Sequence, residues 1–497
     1  MKQSALLPEV ADFIREKAQP QVELDADLKK RLLFPELEAT LQPLHTFTRL
    51  LNPVEAVEPR NAAEEREKFL KAFEDHGFNT SQVANPVFRY RRYESLDIGD
   101  IRRQLEAIRV AVKQIAATDI PLEGQLGCAL AVSKLDDDLD TIEIIEGLAD
   151  SDEPRVRQAV ESKYGALSTS ALSLAHQTWQ RMLLPKAPVA VEGKFTAEQR
   201  QLLCRPLLSA INIAAALYWG LTQYGLGEVI DVVITPEATS IDVRDKNSSG
   251  RPTIVVPARY NAPENFYTGK QVLSLLAHEV SAHVRQSANG WQLLGFGGGI
   301  MKTDNETLYE GLAKANDEEF EIAGFGTASE PLPYAILGLD IIAQGGDFGA
   351  VFQDNFNRRL ELNPKADQRK TAGLAYTTTQ RLFRGCAGFT KDMAYLYGHT
   401  MVKQLRTLGY GQYVELAGFG VKELPVLARL SAPADNLSDL LPYPEQVELP
   451  FVYWEKHLHS LLTRKAVEYD RQHEVIAVST GEKVSWWSRF WHRLTNS

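Results

Sequence analysis

Apolar residues recur at intervals of three and four through much of the first 190 residues. In DIGDIRRQLEAIRVAVKQIAA, the residues Ile101, Leu105, Ile108 and Val112 follow this spacing, which places them on one face of a helix. The stretch TSALSLAHQTWQRMLL has the same periodicity. Both patterns predict a mainly helical N-terminal region over residues 1–190.

The pattern changes near residues 185–196, where PKAPVAVEGKFT predicts a linker. A helix is predicted around LLSAINIAAALYWGLTQYG. Short β-branched runs then predict three strands, in EVIDVVITP, TSIDVRD and PTIVVPARY. The turn-rich KNSSGR between the last two strands predicts a hairpin. Thr268 and Gln271 have the spacing of a capping box and predict the start of the next helix.

Length and pattern together predict an α+β protein with three parts. At 497 residues the chain is too long for one ordinary domain. The helical N-terminal region is followed by a unit over residues 191–430 that combines a small sheet with helices. A proline-rich stretch then leads into a helical C-terminal extension over residues 431–497.

Composition narrows the function classes. The net charge of −11 argues against a nucleic-acid partner, because phosphate contacts need a basic surface. The first residues lack the apolar core of a signal peptide and no later run could span a bilayer, so a cytoplasmic location is expected. Cys128, Cys204 and Cys386 lie far apart, which predicts free thiols and no thiolate zinc site.

One acidic stretch, SKLDDDLDTIEIIEG, raises the question of a calcium loop. An EF-hand counted from Asp136 needs Gly at its sixth position and Glu at its twelfth. Thr141 and Gly147 occupy those positions, so the motif fails. The stretch is predicted to be a solvated loop before a helix.

The stretch LLAHEVSAHVRQ carries the candidate chemistry. His278 and His283 are five residues apart, and Glu279 directly follows the first histidine. On a regular α-helix, positions five apart differ in direction by about 140°, so both imidazoles could not bind one ion. A π-bulge between them would bring the two rings together. From the spacing alone, a metal site and a core helix with one buried histidine are both open.

A second helix, predicted from KTDNETLYEGLAKANDEEF, favours the metal site. Thr303 and Glu306 fit a capping box, which predicts a structural role for Glu306 at the helix start. Glu310 has no such local role. Two imidazoles and one carboxylate are a standard ligand set for catalytic zinc. In that set Glu279 would be the general base and not a ligand.

Four collinear stretches resemble the HExxxH metallopeptidases, a family that includes the microtubule-associated tyrosine carboxypeptidases and bacterial flavohaemoglobin expression-modulating QEGLA-motif proteins. They are NPVFRY (85–90), HEVSAH (278–283), YEGLA (309–313) and FTKDMAYLYG (389–398). The resemblance implies a zincin-like catalytic unit in which His278, His283 and Glu310 bind Zn²⁺ and Glu279 is catalytic. Tyr309 departs from the Gln of the bacterial motif, and we expect it to affect the pocket lining more than metal binding.

These residues predict a zinc-dependent peptidase. In the expected reaction, water attacks the carbonyl carbon of a peptide bond, and Glu279 transfers the proton from that water to the departing amine. The resemblance favours a carboxypeptidase that acts on a peptide or protein C-terminus. Arg384, Lys391 and Tyr395 are predicted to assist, since Arg, Lys and Tyr are natural partners of a substrate carboxylate.

Several alternatives stay open at this point. Lys391 and Tyr395 would share a helical face, but an ordinary helix with a solvated Lys391 fits the spacing too. Arg381 is a further candidate cation, and His399 is expected to be a packing residue and not a fourth ligand. The function could also be that of an endopeptidase or amidase, or of a regulatory protein that binds metal without turnover. The aromatic and basic tail over residues 483–497 predicts peripheral contact with a membrane or with a protein surface.

Overall fold

The structure is a computed structural model, and it describes residues 32–47, 51, 56–91, 93, 96–184, 206–223, 226–227, 230–236, 238, 241–244, 253–287, 303–322, 333–407 and 411–414. This part of the chain is mostly helical with two small sheets, which confirms the α+β prediction. The predicted linker, the Cys204 thiol, the C-terminal extension over 431–497 and its tail over 483–497 lie outside the described residues.

The N-terminal region is helical, as predicted. Its described helices are α1 (Pro35–Leu41), α2 (Leu44–Phe47), α3 (Ala62–Asp75), α4 (Ile98–Ala116), α5 (Leu122–Asp150), α6 (Glu153–Tyr164) and α7 (Thr169–Leu183). Side chains of Asp97, Asp152 and Ser168 cap α4, α6 and α7 by accepting from backbone N–H groups of the first turn. The periodic apolar residues of α4 are buried, so this amphipathic face was correctly predicted.

The acidic stretch is not a loop. Asp136 to Asp140 lie in the middle of α5, and the side chains of Asp137 and Asp138 are buried. Lys134 Nζ lies 2.5 Å from the Asp138 carboxylate, and Lys163 of α6 pairs with Asp137. The prediction of a solvated loop is wrong, because two buried lysines supply the charge that the aspartates need inside the protein.

Two sheets surround the start of the candidate metal segment. The described strands are β1 (Pro206–Leu208), β2 (Asp231–Thr235), β3 (Asp242–Arg244), β4 (Thr253–Pro257) and β5 (Tyr267–Thr268). Strands β2, β4 and β3 form a sheet in that order, with β2 parallel and β3 antiparallel to β4, while β1 pairs antiparallel with β5. The antiparallel pairing expected of the hairpin is confirmed, although its turn KNSSGR lies outside the described residues.

The remaining described α-helices and the π-helix follow β1. They are α8 (Ala210–Gln223), α9 (Gly269–Leu275), a π-helix (Leu276–Val284), α10 (Thr303–Ile322), α11 (Tyr334–Ala343), α12 (Phe348–Leu362), α13 (Gln368–Leu382), α14 (Met393–Thr407) and α15 (Gly411–Val414). Short 3₁₀ turns are Thr80–Gln82, Ala258–Asn261, Pro263–Asn265 and Thr390–Asp392. None of these helices has both the length and the apolar character that crossing a membrane requires.

The N-terminal helices share a hydrophobic core with the segments that carry the candidate ligands. One cluster of buried side chains includes Leu105 of α4 and Leu130 of α5 together with Ala282, Leu308 and Val402. Helix α10 packs against the π-helix and along α14. The N-terminal region therefore supports the candidate site directly. The predicted part boundaries at residues 190 and 430 lie outside the described residues and stay predictions.

Candidate metal centre

A π-helix brings the two histidines together. It covers Leu276–Val284 and continues directly from α9. Because π-helical hydrogen bonds join residues five apart, such residues lie on one face. The rings of His278 and His283 have centroids 4.9 Å apart and stand nearly perpendicular, at 85°. The predicted departure from α-helical geometry between these histidines is confirmed.

The start of this segment is built as the sequence predicts. The backbone N–H of Gln271 donates to Thr268 Oγ1 at 3.1 Å, and the N–H of Thr268 donates to Gln271 Oε1 at 2.8 Å. This is a reciprocal capping box. It fixes the direction in which α9 leaves the sheet and thereby the approach of the π-helix to α10.

Glu310 on α10 completes a cluster with the two histidines. Its Oε2 lies 3.9 Å from His278 Nε2 and 3.6 Å from His283 Nε2. Ligand atoms around a tetrahedral ion with bonds of about 2.1 Å are about 3.4 Å apart. One potential ligand atom from each residue lies within 4.8 Å of the others. The three side chains could therefore hold a metal ion, as predicted.

The other oxygen of Glu310 is held by one residue of the 3₁₀ turn Thr390–Asp392 and one residue of α14. Lys391 Nζ donates to Glu310 Oε1 at 3.0 Å, and Tyr395 Oη lies 3.4 Å from the same atom. Lys391 lies in the 3₁₀ turn before α14 and so does not share one helix with Tyr395, but both side chains contact the same oxygen of Glu310. Lys391 is only 7% exposed, so the alternative of a solvated lysine is wrong. These contacts leave Oε2 directed at the imidazoles.

Glu306 has a role that the sequence reasoning missed. Its side chain is 2% exposed and pairs with Lys391, so the carboxylate points into the protein and not to the helix start. The capping role predicted for it is wrong. Glu306 precedes Glu310 by four residues, which places both on one face of α10. That spacing was the available signal, but Lys391 comes from a distant segment and could not be assigned as their common partner.

Asp317 was also missed. Its Oδ2 lies 3.1 Å from His278 Nδ1 and accepts from Lys314 Nζ at 2.9 Å, while its Oδ1 accepts from Ser274 Oγ at 3.0 Å. A proton on Nδ1 that is donated to Asp317 leaves the lone pair of Nε2 directed at Glu310. Carboxylates commonly orient metal-binding histidines in this way. Its position seven residues after Glu310, two turns along the same helix, was the signal for it.

Burial and neighbouring charges act in opposite directions on these groups. Burial alone would raise the pKa of Glu310, but Lys391 and the two histidines hold that pKa well below its usual range. Burial lowers the pKa of His283. Burial also disfavours the charged form of His278, yet the hydrogen bond to Asp317 and the charge of Glu279 raise its pKa. Glu310 is thus ionised at neutral pH, as a metal ligand must be.

Glu279 directly follows His278 in the π-helix. It is partly exposed, whereas His283 and Glu310 are buried. Its charge acts on both His278 and Tyr267, so it is near the cluster without belonging to the ligand set. The arrangement is compatible with the predicted division of roles, in which Glu279 acts as base, and that role stays a prediction.

The two arginines predicted near the site have different positions. Arg384 Nη2 pairs with Glu58 at 2.9 Å, and no contact with the cluster is found for it within the described chain. Arg381 forms an ion pair with Asp392 at 2.7 Å and donates to Tyr395 Oη at 3.2 Å. Arg381 is therefore linked to the cluster through Tyr395. A catalytic role for Arg384 gains no support from its surroundings.

His399 has the role that the sequence suggests. It is buried on α14, and its Nε2 lies 2.7 Å from Glu318 of α10. It does not belong to the cluster of potential ligands. The contact instead ties α10 to α14, the two helices that supply Glu310 and Tyr395.

The remaining resemblance motif, NPVFRY, lies along the helical scaffold. Asn85 Nδ2 donates to Asp347 at 2.8 Å, and Tyr90 Oη contacts the backbone after α13.

Comparisons with protein-family models, with curated proteins and with solved structures each gave no match. The likeness to the HExxxH metallopeptidases therefore stays a prediction that depends on the four motifs.

Proposed function

We propose that the chain is a zinc-dependent metallopeptidase with a zincin-like catalytic unit, and that it removes a C-terminal residue from a peptide or protein. The observation that carries this proposal is the convergence of two imidazole nitrogens and one carboxylate oxygen beside Glu279. The resemblance of the four motifs to the HExxxH metallopeptidases supports the same function.

The donor set favours zinc. Two imidazole nitrogens and one carboxylate oxygen are typical of catalytic zinc sites, in which the fourth position stays open. His278 Nε2, His283 Nε2 and Glu310 Oε2 would hold the ion. When bound, zinc supplies Lewis acidity, which makes water acidic enough to attack a carbonyl near neutral pH.

Glu279 supplies the proton transfer. It directly follows His278 and is partly exposed, so its carboxylate can meet both water and substrate. It takes a proton from the attacking water and delivers it to the departing amine. A metal site that only stabilises the fold needs no such carboxylate, which favours an enzyme over the regulatory alternative.

Tyr395 supplies a hydrogen-bond donor. Burial and the nearby Glu310 carboxylate raise its pKa to about 12, so the phenol keeps its proton at neutral pH. Its 3.4 Å contact with Glu310 is long for an O–H donor. The proton can therefore turn to a substrate oxygen that gains negative charge during the reaction.

Strand β3 offers a place for the substrate backbone. It is the outer strand next to β4 in the described sheet, and it contacts the π-helix. An outer strand presents backbone N–H and C=O groups with which an extended peptide can pair. A peptide added there would run beside the segment that carries His278 and Glu279.

One observation favours an endopeptidase as the second candidate. A carboxypeptidase needs a cation for the free carboxylate of its substrate. Lys391 is already shared between Glu306 and Glu310, and Arg381 is paired with Asp392. If neither pair opens, the site would accept a peptide bond without recognising a chain end.

The test is mass spectrometry of a random-sequence peptide pool incubated with the zinc-loaded full chain. The control is Glu279→Gln, with its zinc content shown to equal that of the wild type. Loss of single C-terminal residues by the wild type alone supports the carboxypeptidase, and internal cuts support the endopeptidase. If the zinc-loaded wild type cleaves no peptide in the pool and a set of protein substrates stays intact, the hydrolase proposal is wrong.

A further inference from the structure

The two histidines of the cluster are held in different ways. His278 forms a hydrogen bond with Asp317 through Nδ1, the ring nitrogen that does not face Glu310. His283 is only 6% exposed, and its Nδ1 has no hydrogen-bond partner within the described part of the chain. Metal-binding histidines almost always hydrogen-bond through the nitrogen that does not face the ion. Another contact must therefore fix the orientation of the His283 ring.

Tyr309 provides that contact. Its ring lies against the imidazole of His283 with centroids 3.9 Å apart and an angle of 21° between the planes. The ring of His278 is nearly perpendicular to the same imidazole. Rotation of the His283 ring about its Cβ–Cγ bond would drive its edge into Tyr309. The stacked ring thus restricts the imidazole to orientations in which Nε2 faces Glu310.

We propose that Tyr309 is a positioning residue, which holds His283 in its metal-binding orientation by stacking in place of a hydrogen bond. This inference rests on the proposed function only in so far as the cluster binds zinc. Tyr309 is also where the sequence departs from the Gln of the bacterial motif. It directly precedes Glu310 on α10, so neighbouring residues of one helix supply the ligand Glu310 and the ring that supports the ligand His283. This proposed role differs from the expectation that Tyr309 affects the pocket lining more than metal binding.

The test compares zinc dissociation constants of the full-length wild type, Tyr309→Phe and Tyr309→Leu, measured by competition with a chromophoric chelator. Tyr309→Phe keeps the ring and is expected to bind zinc as the wild type does. Tyr309→Leu keeps an apolar side chain but removes the ring, and it is expected to bind about tenfold more weakly, the size of effect that supporting residues of metal ligands show. Thermal unfolding of the metal-free proteins checks that each variant folds, and Tyr309→Met replaces the leucine variant if that one does not.

The absorption spectrum of the cobalt-substituted proteins gives a second measurement. A change of His283 orientation alters the ligand field, so Tyr309→Leu should change the cobalt bands while Tyr309→Phe leaves them unchanged. Equal zinc affinity and equal spectra for wild type and Tyr309→Leu would overturn the inference. A loss in Tyr309→Phe as large as in Tyr309→Leu would also overturn it, by assigning the effect to the hydroxyl. Failure of the wild type itself to bind zinc would instead overturn the proposed function.

Discussion

Gly311 and Gly398 lie backbone to backbone where α10 crosses α14. A Cβ atom added to Gly311 would lie 2.3 Å from the carbonyl carbon of Gly398, and one added to Gly398 would lie 2.0 Å from the carbonyl oxygen of Thr307. No side chain fits at either position. This close approach places Glu310, which precedes Gly311, within reach of Lys391 and Tyr395.

Alanine at Gly311 should therefore separate the two helices. We expect Gly311→Ala to lower the free energy of unfolding by about 3 kcal/mol, because the backbone must move to admit the methyl group. Denaturant unfolding of the metal-free protein measures the loss. Gly99→Ala is the control, since a Cβ at Gly99 would only touch side chains at ordinary distances and should leave stability equal or up to about 1 kcal/mol higher. Equal effects of the two substitutions would contradict the tight crossing.

Removal of Lys391 should leave two carboxylates buried without a cation. Lys391→Met is expected to destabilise the metal-free protein by about 3–5 kcal/mol, because Glu306 and Glu310 lose their common partner. The same substitution at Lys403 is the control. Lys403 is 53% exposed and pairs with Glu318, so its loss should cost at most about 1 kcal/mol. A similar small loss at Lys391 would show that the buried pairs contribute little.

Zinc binding should depend on Asp317. We expect Asp317→Asn to weaken zinc affinity by about 10- to 100-fold, because His278 loses the charged acceptor that orients its ring. Asp354→Asn is the matched control, since Asp354 forms a half-buried pair with Arg358 on α12, away from the cluster of candidate ligands. Chelator competition measures both variants. Unchanged affinity in Asp317→Asn would remove Asp317 from the metal centre.

Acidic pH should weaken the contacts of Glu318 on α10 with His399 and Lys403 on α14. The hydrogen bond from His399, with help from Lys403, lowers the pKa of Glu318 from 4.5 to about 2. A carboxyl whose pKa is lower in the folded state contributes stability above its unfolded pKa, and that contribution is lost as the pH falls towards its folded pKa. The free energy of unfolding of the wild type should therefore exceed that of Glu318→Gln by about 1–2 kcal/mol near neutral pH. This value is smaller than the full pKa shift implies, because Glu318 is partly exposed and solvent screens its charge.

The comparison of wild type and Glu318→Gln is made by denaturant unfolding across the acid range. The difference between them should be constant above about pH 5 and should shrink as the pH approaches about 2. A difference that stays constant over the whole range would show that Glu318 carries no lowered pKa. Glu318 lies outside the ligand cluster, so this measurement does not depend on bound metal.

The cluster of His278, His283 and Glu310 could largely be predicted from the sequence, because the geometry of metal ligands restricts which residues can form such a group. Two histidines five residues apart can share an ion only if the helix between them is not a regular α-helix. Glu310 on the next helix would complete a ligand set with these histidines, and this favours a π-helical segment over a regular α-helix. The π-helix over Leu276–Val284 agrees with this reasoning. The Thr268–Gln271 capping box could be predicted for a different reason, because its two residues are only three positions apart in the chain.

Buried charges could not be predicted in this way. Asp137 and Glu306 have sequence neighbours typical of exposed positions, and each is buried because a lysine from another segment neutralises it. For Glu306 that lysine is Lys391, 85 residues away. A pattern that depends on one segment cannot reveal a partner supplied by another. The stacking of Tyr309 on His283 escaped prediction for the same reason.

The π-helix also determines the packing of the turn that follows it. One inserted residue rotates every later side chain by about 100° relative to a regular helix. In this rotated phase Gln286 is buried and donates to the carbonyl oxygen of Val414 at 2.7 Å. Deletion of Ser281 would leave HEVAH, whose histidines face one another on an ordinary α-helix, but it would turn Gln286 away from α15. The extra residue thus sets the angle between the side of this segment that carries His278 and His283 and the side that contacts the last described helix, α15.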